Sequence, residues 1–207
     1  MKEEKIMVRY SKAVSVAADL FLEKSIDEVK MTDIADGAGI GVASLYRFFE
    51  TKTKIAIQAG ALLWNCINDE FNEYLERDRS RTGLKQIVYC LGFYKILFSE
   101  HKPFLKFLDD FDRLMLTEKV PSEVLEDYEK SIVNFYEPLS ESFEKGISDG
   151  SIKKGIDFNL VYLSMTHALI SVSQKFIRGE ILPHDDFSLA EKEINQLIEM
   201  TVQYMKK

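Results

Sequence analysis

The residues best suited to recognise another molecule lie in a short segment, residues 41–49, with the sequence GVASLYRFF. At about 100° per residue of an α-helix, Ala43 and Arg47 fall on one side of this segment, and Ser44 and Tyr46 flank them. An arginine can bond a guanine edge in two places, a serine can donate or accept, and an alanine or valine can contact a thymine methyl group. These side chains therefore predict a helix face that reads base edges in the major groove of DNA.

The elements around this face must hold it in place. Leu45 and Phe49 fall on the opposite side of the same helix, which we expect to pack on a preceding helix. Gly39 and Gly41 favour a tight turn before it. Thr32 has the character of an N-cap for a short helix that ends at this turn. The segment therefore predicts a helix-turn-helix, whose first helix crosses the DNA backbone while the second enters the groove.

Two further residues are candidates for phosphate contacts. The hydroxyl of Thr32 lies at the start of the first helix of the pair, and Lys52 lies at the start of the helix that follows the second. A helical hairpin with an ordinary solvated face is the alternative interpretation of the segment. The predicted DNA contacts are Thr32, Val42, Ala43, Ser44, Tyr46, Arg47 and Lys52.

The rest of the chain also has helical periodicity, and no segment shows sustained strand alternation. We expect an all-α protein of about nine helices. The predicted helices cover residues 3–24, 32–37, 42–49, 51–77, 83–99, 103–116, 121–149, 158–179 and 189–205. The first three form an N-terminal domain over residues 1–50, and the remainder forms a helical bundle over residues 51–207.

The distribution of charge suits this division. The 207 residues carry a net charge of −7. Residues 1–55 hold nine basic and nine acidic residues, so the excess of acidic residues lies in the later part of the chain. Because phosphate attraction acts over a Debye length of about 8–10 Å, we expect DNA to approach only the first part.

The sequence gives little support for catalysis, a metal site or a membrane span. Its three histidines lie in separate segments, and it contains no phosphate-binding glycine motif. The most apolar run, residues 160–172, is shorter than the roughly 20 residues that cross a bilayer. Cys66 and Cys90 lack metal-ligand spacing, which fits small buried residues in a reducing cytoplasm. We therefore expect no enzymatic activity, no metal and no cofactor.

Residues 31–52, with the sequence MTDIADGAGIGVASLYRFFETK, resemble the TetR family of bacterial repressors. The matching features are a threonine opening helix 2, an Ile-Ala pair, a glycine-containing turn, a Leu-Tyr pair, an aromatic-Phe pair and a lysine opening helix 4. Two positions depart from the family pattern. Val42 replaces a commonly polar or basic residue, and Phe48 replaces a commonly Tyr or His residue, so we expect a narrower set of DNA contacts.

The resemblance implies a ligand cavity in the C-terminal helical body, and this part of the chain is rich in aromatic residues. Such sites are usually apolar with a few polar groups. Ordinary core packing is the alternative for the aromatic residues. His167 is interpreted either as a core histidine bonded to a neighbour or as a polar contact in the cavity. The predicted pocket residues are Trp64, Asn68, Phe71, Tyr89, Phe93, Phe107, Phe111, Phe135 and His167.

The last two predicted helices, 158–179 and 189–205, have apolar stripes that favour a homodimer. Two copies of this pair can form a four-helix bundle across a two-fold axis and present two DNA-reading helices to a palindromic operator. The sequence thus predicts a ligand-responsive transcriptional regulator, released from its operator by a small apolar or aromatic effector. The alternative is an all-α interaction protein that uses the helix-turn-helix only as a scaffold.

Overall fold

The computed structural model describes residues 2–181 and 184–207, and within these ranges the protein is all-α. It has ten α-helices and one 3₁₀ helix, and the described residues form no strand beyond a single bridge between Ile152 and Lys206. The predicted fold class is confirmed. The chain packs as two compact units: the first runs to Asn68 and resumes over Lys106–Val133, and the second comprises Asp69–Leu105 and Asn134–Lys207.

The first unit contains the helix-turn-helix. Its core is built from fully buried apolar side chains, among them Phe21, Ile34 and Leu45. Gly37 allows α1 and α2 to approach closely, since a Cβ at this position would lie 2.7 Å from Val16 Cγ1. The elements are α1 (Lys2–Glu23), α2 (Met31–Ala38), α3 (Val42–Phe49), the first part of α4 (Lys52–Glu76), the last part of α6 (Lys102–Glu118), a 3₁₀ helix (Ser122–Leu125) and α7 (Glu126–Ser131).

The second unit is a bundle in which α5 lies against three other helices. It contains α5 (Gly83–Glu100), α8 (Tyr136–Asp149), α9 (Phe158–Arg178) and α10 (Ala190–Met205), with the remaining parts of α4 and α6. Helix α5 packs against α8, α9 and α10, and α9 packs against α10. Helices α5 and α8 approach closely at Gly83, because this residue has no Cβ. A Cβ there would overlap the backbone of Gly146.

One predicted helix is wrong. The expected continuous helix over residues 121–149 is a 3₁₀ helix, a short α7 and a separate α8, with extended backbone at Ile132. Pro138 explains the interruption, because a proline inside a helix removes one hydrogen bond and clashes with the carbonyl four residues earlier. In the observed fold Pro138 lies in the first turn of α8, where it is tolerated, and Asn134 Oδ1 accepts from the Glu137 N–H at 3.3 Å.

The two packing units are not the two predicted domains. Residues 51–68 of α4 and the segment 106–133 belong to the same unit as the helix-turn-helix. The boundary near residue 50 concerns a division of function, and it stays a prediction.

Candidate nucleic-acid interface

The turn between α2 and α3 contains Gly39, which ends α2, and Gly41, which precedes α3. Gly39 has φ 65° and ψ 38°, a left-handed conformation that glycine adopts readily. The Ile40 N–H donates to the Ala35 carbonyl at 3.0 Å, which closes the end of α2. The Gly41 carbonyl accepts from the Ser44 N–H at 2.8 Å, which starts α3. Gly39 thus permits the sharp end of α2, and Gly41 is the N-cap of α3 in extended backbone that any residue adopts.

Helix α3 has one buried side and one exposed side. Leu45 and Phe49 are 0% and 2% exposed and anchor the helix in the first unit. Ala43, Tyr46 and Arg47 are exposed, and Tyr46 retains 48% of its accessible surface. This outer side therefore presents a methyl group, a phenol and a guanidinium, which are able to contact thymine methyl groups and base-edge acceptors. The half-buried Val42 and Ser44 flank it.

The start of α2 differs from the prediction. Helix α2 begins at Met31, so Thr32 is its second residue and not its N-cap. The side chain that caps this end of the helix is that of Asp33, inside the first turn, because one of its carboxylate oxygens accepts from the N–H of the N-cap residue Lys30 at 2.9 Å. The Thr32 side chain is exposed on the first turn. Its predicted phosphate contact stays a prediction.

Lys52 requires a larger correction. Its ammonium group donates to three backbone carbonyls, of Ile26 at 2.8 Å, Asp27 at 3.3 Å and Val29 at 3.2 Å. A lysine ammonium has three N–H donors, and all three are used here. The geometry therefore assigns Lys52 to holding the loop between α1 and α2, and leaves no donor for the predicted phosphate.

The α1–α2 loop is also held from α6. Arg113 donates to an Asp27 carboxylate oxygen at 2.9 Å and to Asp110 at 2.7 Å. These bonds to carboxylates raise the pKa of the Arg113 guanidinium above its ordinary value. Neither this contact nor the role of Lys52 has a signal in the sequence, since the partners lie 86 and 23 to 26 residues apart.

The predicted pocket residues divide between the two units. In the first unit, the Trp64 indole N–H donates to the Tyr128 hydroxyl at 3.0 Å, and the Asn68 amide donates to the Ser131 carbonyl at 2.7 Å. Burial raises the pKa of Tyr128, partly offset by the hydrogen bond from Trp64. Phe107 and Phe111 are buried in this unit. Tyr128 was not predicted, because its partner Trp64 is 64 residues away.

The other predicted aromatic residues lie in the second unit. Phe71, Phe93 and Phe135 are buried against one another, with ring centroids 4.6 to 6.1 Å apart. Tyr74 and Tyr89 stack at 4.3 Å, and each hydroxyl donates to the other residue's carbonyl. Burial is the main cause that raises the pKa of Tyr74 to about 12. Both groups fit tight aromatic packing, and their part in a ligand site stays a prediction.

His167 is exposed on α9. The interpretation of His167 as a core histidine is therefore wrong, because the α9 positions that face the core of the second unit are Met165 and Leu169. A contact between His167 and a ligand stays a prediction.

No group of three or more His, Cys, Asp and Glu side chains is placed to hold a metal ion in the described part of the chain. Within the same residues, no helix combines the length and apolar character that a membrane span requires.

Comparison with known proteins points to one class of regulator. Residues 13–59 match the family described as bacterial regulatory proteins, tetR family. The chain is 26% identical over 160 residues to the HTH-type transcriptional repressor KstR2 of Rhodococcus jostii (strain RHA1), covering 74% of this chain and 72% of that protein.

Solved structures share the fold along nearly the whole chain. A putative TetR-family regulator from Mesorhizobium loti superposes with a TM-score of 0.66 at 14% identity, covering 98% of each chain. FadR from Bacillus subtilis in complex with stearoyl-CoA gives a TM-score of 0.63 at 16% identity, covering 93% of this chain and 97% of that chain. The ketosteroid regulator KstR2 of Mycobacterium tuberculosis gives 0.56 at 17% identity, covering 96% and 95%.

The helix-turn-helix, with one side of α3 exposed, and the helical body are together typical of a transcriptional regulator that binds DNA. Its N-terminal part matches the TetR family of bacterial transcriptional regulators, and the chain is similar along most of its length to such regulators. Its matched relatives are regulators and not enzymes.

Proposed function

We propose that the protein is a homodimeric repressor that an apolar effector releases from a palindromic operator. The observation that carries the proposal is the outer side of α3, where Arg47 and Tyr46 stand exposed on a helix anchored by Leu45 and Phe49. A rigidly held helix with a guanidinium at its centre suits base recognition, because a bidentate arginine contact depends on direction. Catalytic activity is not part of this proposal.

A second copy of the chain is the proposed partner of α9 and α10. Their outer face exposes large apolar side chains: Leu160 is 63% exposed, Met200 59% and Tyr204 54%. A groove of about 370 Å³ lies between these two helices, lined mainly by apolar side chains. Contiguous apolar surface of this kind marks an interaction site. Four helices from two copies would bury it and set two α3 helices about 34 Å, or a multiple, apart.

An apolar molecule is the proposed effector. The residues predicted for the pocket are mostly aromatic. A few polar groups lie among them, such as the Asn68 amide, which is held by its hydrogen bond to the Ser131 carbonyl. FadR of Bacillus subtilis is described with stearoyl-CoA, and KstR2 of Mycobacterium tuberculosis as a ketosteroid regulator. These names support long acyl chains and steroid skeletons as the first effector classes to test.

Residues 1–50 are proposed to read DNA, and residues 51–207 to sense the effector and dimerise. Helix α4 begins beside the reading helix and carries Trp64, Asn68 and Phe71 further along, so a tilt of α4 could alter the spacing of the two reading helices. An effector acts in this way only if it binds the two states unequally. A regulator of chromosomal genes must reach the chromosome, so the proposed location is the cytoplasm.

The test uses the fluorescence of Trp64, which is the only tryptophan in the chain. An operator is first selected from random duplexes with the purified protein. Stearoyl-CoA and a steroid are then titrated against the fluorescence, with and without that operator. We expect effector affinity to fall about 5- to 150-fold when operator is present, a coupling of about 1–3 kcal/mol.

The outcomes separate the alternatives. Effector affinity that is the same with and without operator would contradict the sensing proposal. A failure to select any sequence would favour the interaction protein with a helix-turn-helix scaffold. Arg47→Ala is the matched control, because it should lose operator selectivity while keeping effector affinity.

A further inference from the structure

A basic stripe runs along one side of α1 beside the helix-turn-helix. Lys5, Arg9 and Lys12 follow one another at spacings of four and three residues, which places them on one helix face. All three side chains are exposed. Val16 continues the same face one turn further along the helix.

Two contacts show where this stripe lies. Val16 packs against Gly37, near the end of α2. The Lys12 ammonium lies 4.0 Å from the position that a Cβ would take on Gly39, in the turn that leads into α3. The stripe therefore begins beside the end of α2 and reaches the turn at Lys12. Arg9 and Lys5 lie one and two helical turns from Lys12, towards the N-terminus of α1.

Two lysines at the start of α4, Lys52 and Lys54, have partners inside the chain. The Lys52 ammonium is bonded to three carbonyls, and Lys54 is paired with Glu50 at 2.6 Å. Among the side chains that the structure describes, neither Arg9 nor Lys12 is paired with a carboxylate. These two cations are therefore available to an external anion.

The position of the turn identifies that anion. In a helix-turn-helix, the N-terminal residues of the second helix contact base edges, so the turn before it lies close to the sugar–phosphate backbone. Backbone contacts of this kind come largely from Lys and Arg and fix the register of the protein on the duplex. A lysine side chain that already extends over the turn needs little reorganisation to meet a phosphate.

We propose that Lys12 and Arg9 of α1 bind backbone phosphates of the operator. These phosphates would lie beside the turn at Gly39, which precedes α3. The inference rests on the proposed DNA-binding function and adds α1 to the interface. It also reassigns the phosphate-binding role that the sequence pattern gave to Lys52. Each phosphate contact releases condensed counterions, so the slope of log K against log salt changes by about 0.9 per contact on duplex DNA.

The experiment compares charge-neutralising variants on the full-length protein. Lys12→Gln, Arg9→Gln and the double variant are measured against Lys24→Gln, a matched control just beyond the C-terminal end of α1, where Lys24 is exposed. The probe is a mixed-sequence duplex and, separately, the selected operator, with salt varied between about 50 and 200 mM. Thermal unfolding by circular dichroism checks that every variant folds.

We expect each single variant to make the slope shallower by about 0.9 and the double variant by about twice that, on both duplexes. The control should keep the parent slope, and Lys12→Arg should restore it. A double variant with the parent slope would overturn the proposal. A parent protein whose duplex binding does not depend on salt would contradict the proposed function itself, whatever the variants do.

Discussion

The outer side of α3 and the outer face of α9 and α10 are both helix surfaces that the chain leaves exposed, yet they differ in chemistry. The α3 surface is short and presents Ala43, Tyr46 and Arg47. The α9–α10 surface is longer and presents aliphatic and aromatic side chains such as Leu160 and Met200. The first offers directional hydrogen bonds beside a small methyl group, which suits base edges. The second offers apolar area that makes no directional hydrogen bonds, which suits another apolar surface.

In the proposed dimer, this difference would divide recognition between the two surfaces. A single eight-residue helix contributes few contacts, so its selectivity would depend on a second copy bound to the same DNA. Linking two such helices through a dimer can raise the overall affinity by about 10²- to 10⁴-fold without a new contact. The apolar face would thereby determine how tightly the polar face binds.

The largest expected effect comes from breaking the apolar face. Leu160→Glu combined with Met200→Glu would place carboxylates in the proposed dimer core, where burying a charge is costly. We expect a monomer in sedimentation velocity at micromolar concentration and an operator affinity at least about 100-fold weaker. Leu116→Glu is the control, since Leu116 is 80% exposed in the first unit. A double variant that stays dimeric would show that the copies meet elsewhere.

The next effect concerns the centre of the polar face. Arg47→Ala should weaken operator binding by about 1–3 kcal/mol and remove the preference for operator over mixed-sequence DNA, because a base contact is lost. Gel-shift titration on both duplexes measures this. The dimer should persist, and Arg81→Ala, an exposed arginine of the second unit, should bind as the parent does. Unaltered selectivity in Arg47→Ala would mean that another face of α3 meets the bases.

A third variant separates holding the polar face from contacting DNA. Lys52→Met keeps the alkyl chain but removes three hydrogen bonds to carbonyls, so we expect the free energy of unfolding to fall by about 1–3 kcal/mol. The salt slope of DNA binding should not change. Lys54→Met is the control and should cost less than about 0.5 kcal/mol, since its partner Glu50 is exposed. A shallower slope with unchanged stability would return Lys52 to the phosphate contacts.

The smallest effect tests a single hydroxyl group. Tyr46→Phe keeps the ring on the exposed side of α3 and removes one donor and acceptor. We expect operator binding to weaken by about 1 kcal/mol, roughly fivefold, with no change in thermal unfolding, because the Tyr46 ring is about half exposed. Isothermal titration with operator DNA measures it. An effect as large as that of Arg47→Ala would place Tyr46 at the centre of the reading face.

The sequence determined the parts of this protein that depend on near neighbours. Gly39 supplies the left-handed residue of the turn, the periodicity of Leu45 and Phe49 defines the buried side of α3, and Thr51 accepts from the Lys54 N–H at 3.2 Å as the N-cap of α4. These features involve backbone conformation and spacing within a few residues. The exposed side of α3 follows from them, because a short helix with one anchored side has only one side left.

Only the tertiary structure decided what distant residues do together. It used the Lys52 ammonium to hold a loop more than 20 residues earlier, bonded Trp64 to Tyr128, and placed His167 on the outside of α9. It also put Lys12 beside the turn at Gly39. A lysine or histidine has the same local pattern whether its polar atoms meet a carbonyl, a phosphate or water. The choice is made by the elements that fold against it, and a single sequence does not encode those distances in any local pattern.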